Sequence, residues 1–157
     1  HNDMTYIKKI AFLCFLIPLM SCSVQKEGTP NIKQGVFGSV TWVEGNMMPS
    51  PDAPKTAGKK GVEREIQIYE VVTFKDVEGE APLYTKVNGK LIKTVKSNAK
   101  GFYECELPVG QYSVFTVEEG KKLFANNSDG EGKINSIEIE QGKTVQLDLQ
   151  INYKAAY

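Results

Sequence analysis

From Gly35 onward, apolar residues recur at every second position. Val36, Gly38, Val40 and Trp42 fall on one side of an extended chain, and Ile66 and Ile68 do the same with Glu65 and Gln67 opposite. The clearest run is the last: Val145, Leu147, Leu149, Ile151 and Tyr153 alternate with Gln146, Asp148, Gln150 and Asn152. A period of two marks strands with one buried face. No window keeps a 3.6-residue apolar period long enough for a substantial helix. Turn residues punctuate the runs. Asn88-Gly89, between Tyr84–Val87 and Lys90–Ile92, predicts a hairpin, because that dipeptide suits the left-handed positions of a two-residue turn. Gln141-Gly142 links Ile137–Ile139 to the last strand, and Pro108-Val109-Gly110 links Tyr103–Leu107 to Tyr112–Val114. About seven short strands with such spacing predict an all-β sandwich.

One segment has a different pattern. Ile10 to Met20 is an unbroken apolar run of 11 residues preceded by Lys8 and Lys9. It is short of the roughly 20 residues that span a bilayer, and its charged start and Pro18 suit a secretory signal. Residues 4–21 are therefore expected to be a cleaved signal peptide, with His1-Asn2-Asp3 a remnant upstream of Met4. The run ends in Leu19-Met20-Ser21-Cys22, which resembles the lipobox of bacterial lipoprotein precursors. That resemblance implies that Cys22 receives a diacylglycerol and becomes the acylated N-terminus. Small Ser21 suits a tight cleavage pocket, and the Cys22 thiol is the soft nucleophile at that point. The alternative is an ordinary signal peptide with a chance cysteine. Ser23 after the cysteine resembles an outer-membrane sorting signal, and Lys26-Glu27 partly resembles a surface-export signal, so a periplasmic or a surface-facing lipoprotein both fit. Residues 22–34 read as a polar tether, and residues 35–157 as the domain.

Removing residues 1–21 of the 157 leaves 136, enough for one core. A formal net charge of zero and a single arginine, Arg64, give no electrostatic footprint for nucleic acid. Of Cys14, Cys22 and Cys105, only Cys105 stays free, so no disulfide framework forms within the chain. The only histidine is His1, which removes Ser-His-Asp and Cys-His catalysis and histidine metal sites. No carboxylate pair stands out for glycoside hydrolysis. The chain is expected to be neither an enzyme nor a cofactor binder, and to be a monomer. Cys105, on an inward face between Glu104 and Glu106, reads as a core thiol with a raised pKa. Arg64 is in register with Ile66 and Ile68 and either lies at the core rim or, more often for such a residue, snorkels to solvent. Asn127, Asp129, Glu131 and Glu138 are spaced like positions 1, 3, 5 and 12 of a Ca²⁺ loop, with Gly132 at position 6. Glu131 and the flanking strands fit that motif poorly, and a polar hairpin loop is the better reading.

Glu44 to Gly61, with Pro49, Pro51 and Pro54, cannot be a central strand. Loops this long are often functional, and Met47, Met48 and Pro49 make residues 46–60 a candidate partner-binding loop. Gly101-Phe102-Tyr103-Glu104-Cys105-Glu106-Leu107-Pro108-Val109-Gly110-Gln111-Tyr112-Ser113-Val114 resembles the glycine–aromatic and "LPxGxY" signature of carboxypeptidase regulatory-like domains. Val36-Phe37-Gly38-Ser39-Val40 resembles that family's opening strand, although the proline-containing loop is longer than its usual link. The resemblance, over about residues 35–153, implies a Greek-key, transthyretin-like or Ig-like sandwich of noncatalytic character. A binding or assembly module in the cell envelope is expected, anchored to the membrane by lipid, with an envelope protein or a glycan as partner. The alternatives are a carbohydrate-binding surface lipoprotein, using Phe115, Tyr69 and Phe124 as an aromatic platform, and a small hydrolase.

The Cys22→Ala protein is expected to lose all incorporation of a fatty-acid analogue in metabolic labelling, because lipid anchoring rests on that thiol. Label retained in the variant would contradict the lipobox reading.

Overall fold

A computed structural model describes residues 29–46 and 59–156. The described chain forms twelve strand segments: β1 (Gly35–Asn46), β2 (Lys59–Gly61), β3 (Glu65–Glu70), β4 (Val77–Glu80), β5 (Leu83–Val87), β6 (Leu91–Lys96), β7 (Phe102–Glu106), β8 (Gly110–Val117), β9 (Leu123–Phe124), β10 (Ser136–Ile139), β11 (Thr144–Gln146) and β12 (Leu149–Ala156). Five segments make one sheet and seven the other, so the protein is an all-β sandwich divided more finely than the seven or so strands expected.

The first sheet is organised on β1. Its leading half pairs with β7 antiparallel and β11 parallel, and its trailing half with β2 antiparallel and β12 parallel. The second sheet runs β4-β5-β9-β8-β3-β6, with β10 beside the start of β8. Val36, Val40, Ile66, Ile68, Tyr103, Cys105, Leu107, Tyr112, Val114, Leu149 and Ile151 meet between the sheets, as their alternation requires. Cys105 lies in this core opposite Val36, and burial above all pushes its thiol pKa up. Glu106 adds to that shift, and Lys93 opposes it.

The Pro108–Gly110 turn passes the chain from β7 in one sheet to β8 in the other, and the Tyr112 hydroxyl pins it by donating to the Pro108 carbonyl at 2.7 Å. The last apolar run is broken rather than continuous. At Leu147 the N–H donates to the Phe37 carbonyl, and the carbonyl accepts from the Tyr103 hydroxyl while lying over Gly38. A Cβ at Gly38 would come within 2.0 Å of that oxygen, so only glycine fits there.

Two expectations are corrected. Asn88-Gly89 does not close a hairpin: β5 pairs with β4 and β9, whereas β6 pairs with β3. Neither residue takes a left-handed conformation. Gly89 instead permits close packing, since a Cβ there would lie 2.7 Å from the Val72 side chain. The aromatic platform does not exist either, because Phe115, Tyr69 and Phe124 are all buried. Phe124 joins the inter-sheet core. Tyr69 and Phe115 belong to a second core with Val72, Tyr84, Val87, Leu123, Ala125 and Ile134. Phe115 and Ser113 alternate with Tyr112 and Val114, so β8 is buried on both faces. Neighbouring segments roof the outer face, joined by bonds from Ile134 N–H to the Val72 carbonyl and from Val72 N–H to Ser113 Oγ, each 3.0 Å. Edge contacts of Tyr69 and Tyr84 on the Phe115 ring, at 5.7 and 6.2 Å, contribute about 1 kcal/mol each beyond burial.

Part of the segment read as tether is docked. Asn31 N–H donates to Glu104, Gln34 Nε2 to the Leu107 carbonyl, and Gly142 N–H to Gln34 Oε1.

Thr116 Oγ1 is the one buried side-chain polar atom among the described residues without a hydrogen-bond partner. Thr116→Val, nearly isosteric, is expected to raise unfolding stability by about 1 kcal/mol in a denaturant titration. A loss of stability would show that the hydroxyl does have a partner.

Candidate functional site

The inward face of β8 runs Tyr112, Val114, Thr116 and, one step past the strand, Glu118. The inward face of β3, read backwards, runs Ile68, Ile66 and then Arg64. Ile66 lies opposite Thr116, so the same register sets Arg64 opposite Glu118. A charge at the mouth of an apolar core needs a partner, and each supplies the other's. Arg64 Nε lies 3.2 and 3.4 Å from the two Glu118 oxygens. The Glu118 side chain is 2% exposed, and that of Arg64 is 29% exposed. Arg64 therefore lies at the core rim, with its Nε side turned in to Glu118 and part of its side chain exposed.

The facing sheet completes the site. In β12 a bulge sets Val43 of β1 against two residues, Asn152 and Tyr153. The Tyr153 hydroxyl donates to Glu118 at 3.1 Å, and the Tyr153 ring meets Trp42 edge-on at 5.4 Å. The Arg64 guanidinium lies 5.4 Å from the Trp42 ring centre and Lys154 Nζ 5.8 Å from it, both within cation–π range. These side chains, with Val117 and Glu119, line a cleft of about 420 Å³ at the end of the sandwich. Burial above all, and then the neighbouring Glu118 carboxylate, push the Tyr153 pKa up to about 12, with Arg64 partly opposing. The Tyr153 phenol is held protonated as a donor to Glu118.

Trp42 and Tyr153 were legible as inward residues and Arg64 as a rim residue, but Glu118 and Lys154 were not singled out. The signal for Glu118 was its parity with Tyr112 and Val114, which places a carboxylate inside and so demands a cation.

Comparison of the chain with protein-family models, with curated proteins and with solved structures finds no match.

The other candidates lie elsewhere. Cys22 and its lipobox residues Leu19, Met20 and Ser21 fall outside the described residues, as do Met47, Met48 and Pro49. The ends of that insertion are strand rather than loop: β1 reaches Asn46, and β2 pairs Lys59–Gly61 with Thr41–Val43. The four Ca²⁺ candidates do not converge as a set: among the described residues no three carboxylates group to hold a metal, although Asp129 and Glu138 border one cavity. Asp129 Oδ1 accepts the N–H groups of Glu131 and Lys133, both at 2.9 Å, and so closes its own turn. Glu131 pairs with Lys133 at 2.9 Å. Asn127 borders a cavity beside Phe74, whereas Glu138 borders another with Asp129 and Lys133.

The Tyr153 shift fixes the sign of a pH effect. Its pKa is higher folded than the ordinary value of 10, so its contribution is complete below pH 10 and is lost as pH rises towards about 12. Unfolding titrations at increasing alkalinity should therefore show a steeper loss of stability in the native protein than in Tyr153→Phe. Equal slopes would mean that the phenol is not coupled to Glu118.

Proposed function

We propose that the chain is a noncatalytic, lipid-anchored β-sandwich that acts as a binding or assembly module in a bacterial cell envelope, on either face of an outer membrane. Its binding site is the cleft at the end of the sandwich. The observation that carries this reading is the cleft itself, where Trp42 and Tyr153 offer ring surface and Arg64 and Lys154 offer charge beside a cavity of small-ligand size. The lipobox resemblance at Cys22 supports the anchor. The resemblance of Gly101–Val114 to carboxypeptidase regulatory-like domains supports a noncatalytic role. So do the lack of any histidine beyond His1 and the burial of Cys105, which leave a serine or cysteine hydrolase without its usual histidine base and without an accessible thiol at Cys105.

A glycan-binding reading has one observation in its favour. Phe74 is 51% exposed. It adjoins a cavity of about 330 Å³ bordered by Pro82, Asn126, Asn127 and Ser128, so a ring platform lies beside amide and hydroxyl groups.

Site-specific photo-crosslinking in cells separates the two. A photoreactive residue replacing Glu119, at the cleft rim, is expected to give a defined adduct that the same residue at exposed Lys86 does not. Crosslinking at Phe74 alone, with glycosidase-sensitive adducts, would favour the glycan platform. No adduct at Glu119 would overturn the cleft as the binding face.

A further inference from the structure

We propose that the cleft takes a small ligand bearing a carboxylate, held by Arg64 and Lys154 with its hydrocarbon part against Trp42, Tyr153 and Val117. This rests on the cleft being the binding face. Arg64 spends Nε on Glu118 and one Nη1 hydrogen on the Glu63 carbonyl at 2.9 Å. Its remaining N–H groups have no acceptor among the described residues. Lys154 has no ion-pair partner among the described residues; Glu44 lies opposite it in register but makes no salt bridge. The two cationic groups are held against the same indole ring, at 5.4 and 5.8 Å from its centre.

The acidic groups of the cleft do not offset this equally. Glu118 is engaged by both Arg64 and Tyr153, so its oxygens are not offered to a ligand. Glu119 is exposed. Lys154 is exposed as well and the four charges sum to zero, so selection rests on the unspent guanidinium donors of Arg64 beside Lys154, which call for a ligand with acceptor oxygens. A planar carboxylate matches the free edge of a guanidinium. With Glu118 and Glu119 nearby, a monoanionic carboxylate meets less repulsion there than a dianionic phosphate would. A volume of about 420 Å³ accommodates a ligand of monosaccharide size, and the aromatic walls cover apolar C–H surface. A sugar acid and an amino-acid carboxylate share this chemistry.

Trp42 is the single tryptophan of the chain, so selectively excited tryptophan emission reports the cleft. The full-length protein is titrated with glucuronate, glucose, N-acetylalanine and N-acetylalanine amide. Saturable changes in Trp42 emission are expected with the carboxylates and not with glucose or the amide. Lys154→Gln, at an exposed position, is expected to weaken carboxylate binding about tenfold, as does loss of one charged hydrogen bond. A tighter response to glucuronate supports the class with a sugar acid as source, and a tighter response to N-acetylalanine supports it with an amino-acid terminus as source. Glucose binding as tightly as glucuronate overturns the carboxylate assignment while leaving the cleft a binding site. An unchanged affinity in Lys154→Gln, or no response to any of the four, also overturns it. The crosslinking result at Glu119 separately decides whether the cleft is the binding face.

Discussion

Everything in the first sheet depends on β1 being paired along both edges. Among the described residues no other strand of that sheet is joined to more than one neighbour, so without Gly35–Asn46 the four remaining segments have no common partner. The arrangement requires close backbone approach. Val40 N–H donates to the Gly101 carbonyl at 2.7 Å, and a Cβ at Gly101 would lie 2.3 Å from the Val40 oxygen. Gly101 also has φ of +91°, which an L side chain resists. The glycine that opens the Gly101–Val114 motif therefore serves β1, in a strand far away in sequence. The parallel pairing of β1 with β11 and β12 brings the C-terminal part of the domain to its first strand and sets Tyr153 and Lys154 beside Trp42.

β8 has the matching role in the second sheet. Burial on both faces makes it a wall shared by two cores, and it leaves the chain little freedom at Glu118, just past the strand end. A carboxylate there is costly unless paired, and removing one member of a buried pair typically costs about 3–5 kcal/mol. The partial exposure of Arg64 lowers that figure, because water screens the cation. What the pair gains is connection across the sandwich. Glu118 and Arg64 belong to one sheet, and Tyr153 and Trp42, which they touch, belong to the other.

The strands were legible from alternation because a sandwich enforces it: inward residues at 36, 40, 66, 68, 103, 105, 107, 112, 114, 149 and 151 are buried. Pairing was much less legible. Asn88-Gly89 reads locally as a hairpin, yet β5 pairs with β4 and β9 and carries Tyr84 and Val87 into the core around Phe115, a choice made by long-range packing that the local dipeptide does not report. The second core was hidden for a similar reason. Val72, Ala125 and Ile134 join it from segments between strands, where no period betrays burial, and Tyr69 and Phe115 reach it from the strand faces opposite the first core. Half of the cleft was within reach. Trp42, Arg64 and Tyr153 all follow inward parity, but their meeting with Glu118 depends on long-range register and on the β12 bulge.

The contacts that close this end of the sandwich also shape what it can bind. A core sealed with apolar side chains alone would give a dry, featureless end and, by the usual accounting for buried ion pairs, no less stability. Here the seal is made of an ion pair, a phenol and an indole. Satisfying Glu118 consumes the Nε–H of Arg64 and the Tyr153 proton, the Glu63 carbonyl takes one Nη1 hydrogen, and the other guanidinium N–H groups have no acceptor among the described residues. Lys154 adds charge that the fold does not need, since its side chain is exposed and contributes to neither core. Stability accounts for Glu118 and one side of Arg64. It does not account for a second cation against the same indole, and that surplus is what distinguishes the cleft from a plain structural seal.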